Sequence, residues 1–188
     1  TQMQKREGVD ASIDLIRKAM NKIADKTYDV LSKQIIDEIK KVAEVGEETR
    51  ADLEKVAASA FDIASTNGFY SSLYARIYAE LCDNFGDIFV PPLKQALASF
   101  KDSYRAIEYV SPDEDYDKFC AINKENTKRR AMGVFFINMA GTSFGVDLHE
   151  AVDVVQDIQR LLEQKIDEEG QEAAVDELAC LEGEMILG

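Results

Sequence analysis

Residues 12–42 read SIDLIRKAMNKIADKTYDVLSKQIIDEIKKV. Within them Ile13, Ile16, Met20 and Ile23 step by three, four and three residues, and after a polar break Tyr28, Leu31, Ile35, Ile39 and Val42 repeat that stepping. Residues three and four apart share one face of an α-helix, so each run predicts an amphipathic helix with an apolar stripe to bury. Two such helices joined by a few residues predict an antiparallel hairpin.

The same rhythm continues in both directions along the chain. Leu53, Val56, Ala57, Ala60 and Ala64 predict a third helix, with Asn67-Gly68 as a left-handed stop. Phe69, Leu73, Ile77 and Leu81 predict a fourth, ending near Asp83-Asn84. Pro91 and Pro92 are expected in the first turn of a fifth helix, where absent N–H donors are tolerated, with Leu93, Leu97, Phe100, Tyr104 and Ile107 as its stripe. Periodicity breaks at Ser111-Pro112-Asp113 and a run of acids, so residues 110–124 are read as an acidic loop with room for one helical turn. Met132, Phe135, Phe136 and Met139 resume the pattern as a sixth helix stopped by Gly141 and Gly145. Ala151, Val154, Val155, Ile158, Leu161 and Leu162 mark a seventh helix, and Val175, Leu178, Leu181 and Met185 an eighth.

Successive pairs therefore begin near residues 8, 48 and 88, a period of about 40 like that of HEAT repeats, and the acidic loop delays the fourth to about 147. The expected fold is all-α: a right-handed α-solenoid of about four stacked antiparallel helix pairs, HEAT-like, in a single domain over residues 1–188. The pairs fall at about 8–45, 48–86, 88–140 and 147–187. One pair cannot bury its stripe alone, so neighbouring pairs must share a core.

Asp plus Glu number 36 against 22 Lys plus Arg, a formal charge of −14 that disfavours free-standing binding to phosphate backbones. Residues 147–184 alone hold 13 acidic and two basic residues. Cys82, Cys120 and Cys180 form no C-x-x-C pair and are read as reduced, buried thiols of a cytosolic or nuclear protein, without zinc. No charge-free apolar run approaches the roughly 18 residues of a membrane span, and the N-terminus lacks the signal-peptide pattern. A start without methionine suggests a segment excised from something larger.

Constellations for chemistry are weak. Gly141 to Gly145 match G-x-S-x-G around Ser143, but a nucleophile elbow needs a preceding strand, and His149, the one histidine, is six residues from Ser143. Asp113, Asp115 and Asp117 open like a calcium loop, yet Lys118 and Lys124 stand where Gly and Glu are required. Lys124, Lys128, Arg129 and Arg130 form the dense basic cluster, placed at the start of the sixth helix. It serves either as a solvated flank, as a partner for acidic groups on another protein, or as a clamp on the acidic loop. Tyr70, Tyr74 and Tyr78 line one side of the fourth helix and suit either the core or the edge of an interface. Neither a metal nor a cofactor is expected, and no enzymatic activity.

Four stretches, in order, resemble the middle domain of eukaryotic initiation factor 4G, a HEAT-type family also found in mRNA-decay and nuclear cap-binding scaffolds. They are Asn21-Lys22-Ile23 with Tyr28-Asp29-Val30-Leu31; Tyr70-Ser71-Ser72-Leu73-Tyr74-Ala75 with Leu81-Cys82; Lys128-Arg129-Arg130-Ala131-Met132-Gly133 with Phe136-Ile137; and Leu148-His149-Glu150-Ala151. The chain departs from that family in having Ala24-Asp25 where Thr-Pro is usual, a short acidic insert, and no fifth pair. The resemblance implies a cytoplasmic translation-initiation scaffold that binds a DEAD-box RNA helicase of the initiation factor 4A type and orients its two RecA-like domains. Other initiation factors join as partners, and contact with RNA is weak or indirect. Helicase contacts carry over to Met20, Asn21, Lys22, Ile23 and Tyr28, although Met20 and Ile23 also lie on the core stripe. Secondary partner or RNA contacts carry over to Tyr70, Lys128, Arg129 and Arg130. An RNA-binding module and a helicase scaffold of mRNA decay stand as alternatives.

Overall fold

The computed structural model describes residues 2–44, 49–142 and 147–188, with side chains from residue 8 onward. The described residues form eight α-helices and no strand: α1 (Gln2–Met20), α2 (Tyr28–Ala43), α3 (Thr49–Thr66), α4 (Ser71–Asn84), α5 (Gly86–Ser103), α6 (Tyr116–Met139), α7 (Leu148–Lys165) and α8 (Glu172–Leu187). They gather into two compact units, Thr1–Lys94 and Gln95–Gly188, with the boundary inside α5.

In the first unit α1 and α2 pack as a hairpin, and α3 lies against both and against α4. The predicted stripes supply this core: Met20, Ile35, Ile39, Ala57, Ala60, Ile77 and Leu81 are fully buried. Alanines at 57, 60 and 64 let the α3 backbone approach its neighbours closely, while the large side chains of α1, α2 and α4 fill the space. Burying each such Ile, Leu or Met contributes roughly 1.5–3 kcal/mol. In the second unit α8 packs on both α6 and α7, burying Phe135, Met139, Ile158, Leu178 and Leu181 completely.

Several expectations are corrected. Helix α1 begins at Gln2 rather than near residue 8. Residues 2–7 carry no stripe, but Gln, Met, Lys, Arg and Glu are strong helix formers and extend the helix outward. Helix α3 stops at Thr66 without a left-handed residue at Asn67, since no described non-glycine has a positive φ. Instead the Asn67 side-chain oxygen accepts from the Tyr70 N–H at 3.3 Å, a side-chain-closed turn. The left-handed stop is found at Gly141, with φ of 85°, directly after α6 and its capping Ala140. Gly145, the second expected stop, lies outside the described residues, as does Ser143.

Pro91 and Pro92 lie in the second turn of α5, not its first, because that helix starts at Gly86. Its first turn is made by the Phe85 carbonyl accepting from the N–H of both Ile88 and Phe89, each at 3.0 Å. The two prolines deprive the carbonyls one turn back of their usual donors, and burial of Ile88, Phe89 and Leu93 on one side keeps the chain helical.

The acidic loop is shorter than residues 110–124, for α6 already starts at Tyr116. The cause is a cap: the Asp115 carboxylate accepts from the Lys118 N–H at 2.9 Å. Residues 116–123 offer only half-buried Phe119 and Ile122 to the interior, too few to make a periodic signal. Cys82 alone of the cysteines is buried, its thiol pushed up to about 12 by burial and nearby Asp83, while Cys120 and Cys180 are exposed. No described helix is long and apolar enough to cross a membrane.

Candidate functional site

The turn between α1 and α2 is built on a buried floor. Met20, Ile23 and Tyr28 are 0%, 5% and 3% exposed, whereas Asn21, Lys22, Ala24, Asp25, Lys26 and Thr27 face solvent. The side chains of Met20, Ile23 and Tyr28 therefore lie in the core, and Asn21 and Lys22 face outward. The turn is closed from within by Thr27. Its hydroxyl oxygen accepts from the Ala24 N–H at 3.0 Å and lies 3.1 Å from the Lys22 carbonyl, to which it donates. Turn hydrogen bonds from the Lys22 and Ile23 N–H groups to the Ala19 and Met20 carbonyls, each at 3.1 Å, complete the fastening.

Helix α4 pins this floor from the side. The Tyr28 hydroxyl donates to the Glu80 carboxylate at 2.8 Å, and the Arg76 guanidinium lies 3.7 Å over the Tyr28 ring. Burial, then the Glu80 carboxylate, raises the Tyr28 pKa, so the phenol stays protonated and keeps donating. One turn earlier the Tyr74 hydroxyl donates to the Met20 carbonyl at 3.1 Å, and it also shares a hydrogen bond with Asn67. Met20 ends α1 and Asn67 begins the α3–α4 turn, so Tyr74 ties both turns to the same end of the first unit.

On that end the α3–α4 turn displays Phe69 and Tyr70. Their rings meet edge to face, with centroids 4.8 Å apart, and are 87% and 46% exposed. Tyr70, expected as a secondary partner or RNA contact, is thus exposed at this end. Phe69, expected on the apolar stripe of the fourth helix, is exposed instead. It precedes α4, which starts at Ser71, so helical spacing counted from Phe69 does not place it. The buried side of α4 is Tyr74, Ile77, Tyr78 and Leu81 instead. Tyr78 is consumed in the core, where its hydroxyl donates to the Phe89 carbonyl at 2.6 Å. The signal that could have found Phe69 was its place immediately after Asn67-Gly68, inside the turn.

In the second unit the basic cluster sits in the middle of α6, not at its start. Arg130 Nη1 reaches Glu177 at 2.9 Å and its Nε reaches Glu184 at 3.5 Å, so this side chain clamps α8 rather than the acidic loop. Lys128 pairs with Glu125 at 3.4 Å, and Arg129 donates to the Asn126 side-chain oxygen at 2.7 Å. Burial lowers the Arg129 pKa and raises that of Glu177, the ordinary consequence of drawing charges out of water. Lys124 remains solvated.

Asp115 is occupied as the α6 cap, and the His149 N–H is bound by the Asp147 carboxylate at 2.7 Å, at the start of α7. Among the described residues no group of three or more His, Cys, Asp or Glu side chains could hold a metal ion. The end of the first unit offers an aromatic pair, an amide and an ammonium on a fastened frame, groups suited to recognition. Compared with protein-family models, with curated proteins and with solved structures, the chain finds no match in any of the three.

Proposed function

We propose that this chain is a helical interaction scaffold that docks a DEAD-box RNA helicase of the initiation factor 4A type and orients its two RecA-like domains, as the resemblance to the middle domain of initiation factor 4G implies. In this reading the eight helices stack as a right-handed HEAT-like solenoid of four pairs, and catalysis belongs to the helicase. Work of this kind takes place in the cytoplasm.

The observation that carries the reading is the fastened end of the first unit, where the buried Met20, Ile23 and Tyr28 support Asn21 and Lys22 at the same end that bears exposed Phe69 and Tyr70. A surface preorganised by hydrogen bonds loses little conformational entropy on binding, and exposed aromatic side chains are the usual anchors of protein interfaces. A scaffold of this sort lowers the orientational cost of helicase closure, shifting a population instead of adding a catalytic group.

Titration of the chain into a purified helicase of the 4A type, followed by calorimetry and RNA-dependent ATPase rate, tests this. Micromolar or tighter binding with stimulated ATPase is expected. Phe69→Ala and Lys22→Glu should each weaken binding about tenfold or more, as loss of an anchor or a reversed charge does. Absence of binding, or binding indifferent to both variants, rejects the site. Preference for a decay-type helicase over the translation factor would move the scaffold to mRNA decay.

A further inference from the structure

Helix α7 carries two apolar sides. Ala151, Val154 and Ile158 form the buried one. Leu148, Val152, Val155, Gln159, Leu162 and the capping Ile166 form the other, stepping by four, three, four, three and four residues. At about 100° per residue these six lie within roughly 80° of one another, beside the core-facing side rather than on it. Leu148, Val152 and Ile166 are 64%, 46% and 60% exposed, and the three between are half-buried. The stripe therefore offers surface to solvent over about 27 Å at 1.5 Å per residue.

Alternating steps of three and four are the a/d spacing of a heptad, and on an exposed side that spacing forms a seam into which a second helix fits. The one polar position, Gln159, donates its side-chain amide to the Glu163 carboxylate at 2.8 Å and fixes that anion at the border of the seam. Burial, and then the charge of Glu163, raises the pKa of Glu182 on α8, which brings a second carboxylate toward the same border. The two cations of α7 are turned elsewhere. Arg160 lies 3.6 Å from Asp157, and Lys165 donates to the Gln171 side-chain oxygen at 3.3 Å. Among the described residues no Lys, Arg or His forms an ion pair with Glu163, Asp167 or Glu182.

We propose that this seam of α7 docks an amphipathic helix of a partner protein, about three heptads long, whose apolar stripe is flanked by Lys or Arg. The partner's stripe packs on Leu148, Val152 and Ile166, and its flanking cations meet Glu163 and Glu182. Charge selects such a partner over a second copy of this chain. Residues 147–169 hold eight acidic and two basic side chains, so two α7 helices laid together would set acid against acid. The same charge turns away an anionic membrane surface. The seam belongs to the second unit, and its occupation is independent of any helicase contact at the first.

Fluorescence anisotropy on the full chain tests this, with a labelled three-heptad peptide carrying Leu at the a and d positions, Lys at e and g, and Ala elsewhere. Saturable micromolar binding at about 0.15 M salt is expected. Leu148→Asp and Ile166→Asp lie at exposed positions at opposite ends of the seam and should leave circular dichroism and melting unchanged. Each should weaken binding about tenfold. Both add negative charge, so attraction by charge alone would instead strengthen binding in these variants. Glu163→Lys should weaken it several-fold, and the same peptide with Glu in place of Lys should bind at least about tenfold more weakly. No binding up to about 1 mM, binding not weakened by Leu148→Asp and Ile166→Asp, or equal binding of the Glu-flanked peptide overturns the proposal. Self-association of the chain in sedimentation, abolished by Leu148→Asp, would overturn it in favour of a second copy.

Discussion

At the scale of single residues, phenol groups hold much of this structure in place. Tyr74 answers the Met20 carbonyl, Tyr78 the Phe89 carbonyl and Tyr104 the Asp157 carboxylate, at 3.1, 2.6 and 2.6 Å. Tyr74→Phe keeps the ring and removes the donor at the point where both turns of the first unit are tied. It should cost about 1 kcal/mol, seen as a lower urea midpoint, and should also weaken docking at Asn21 and Lys22. Asp157 makes a different test. The hydrogen bond from Tyr104 first, then Arg105, holds its carboxyl below the ordinary value of 3.8. A folded pKa below the unfolded one means stability that is complete above the ordinary range and is lost as pH falls below about 3.8. Asp157→Asn should therefore flatten the acid limb of the melting-temperature profile below about pH 4. Glu177 acts in the opposite sense. Burial raises its pKa, so its contribution is full below its ordinary 4.5 and fades as pH rises through the raised value.

At the scale of elements, legibility followed the density of buried apolar residues. Helices α2 and α3 were readable because most of their stripe residues are interior. The first two turns of α6 were not, because a capping Asp115 starts them and little of their surface is buried. Phe69 was misplaced for the complementary reason, an apolar residue in a turn mimicking the next step of a stripe. Packing between elements is close where α6 crosses α8. A Cβ on Gly133 would lie 2.8 Å from Met185 Cγ, 2.9 Å from its Sδ and 3.0 Å from Leu181 Cδ1. Gly133→Val, bulky and β-branched, should cost about 2–3 kcal/mol by overpacking. Chemical denaturation would measure it, and compensation by Met185→Ala in the double variant would locate the strain at this crossing.

At the scale of the whole molecule, charge sets the terms. Of the formal −14, residues 147–184 contribute 13 acidic against two basic side chains. Arg130 answers two of those acids, Arg105 and Arg160 a third, and Lys101 a fourth, and many of the rest face solvent. Mutual repulsion of this kind is screened by salt, so the melting temperature should rise by a few degrees between about 10 mM and 0.3 M sodium chloride. Replacing Asp167, Glu168 and Glu169 by their amides should raise the low-salt value and reduce that dependence. The all-helical class, eight helices and the solvated acid load were set by the sequence itself, because apolar period and net charge are properties of the chain before it folds. Tertiary structure alone decided which polar and aromatic groups reached the surface. Met20, Ile23 and Tyr28 went to the interior and Phe69 to solvent, and Arg130 was drawn onto α8. Exposure depends on which faces of other helices arrive to cover a residue, and that information lies in packing between segments distant in the chain.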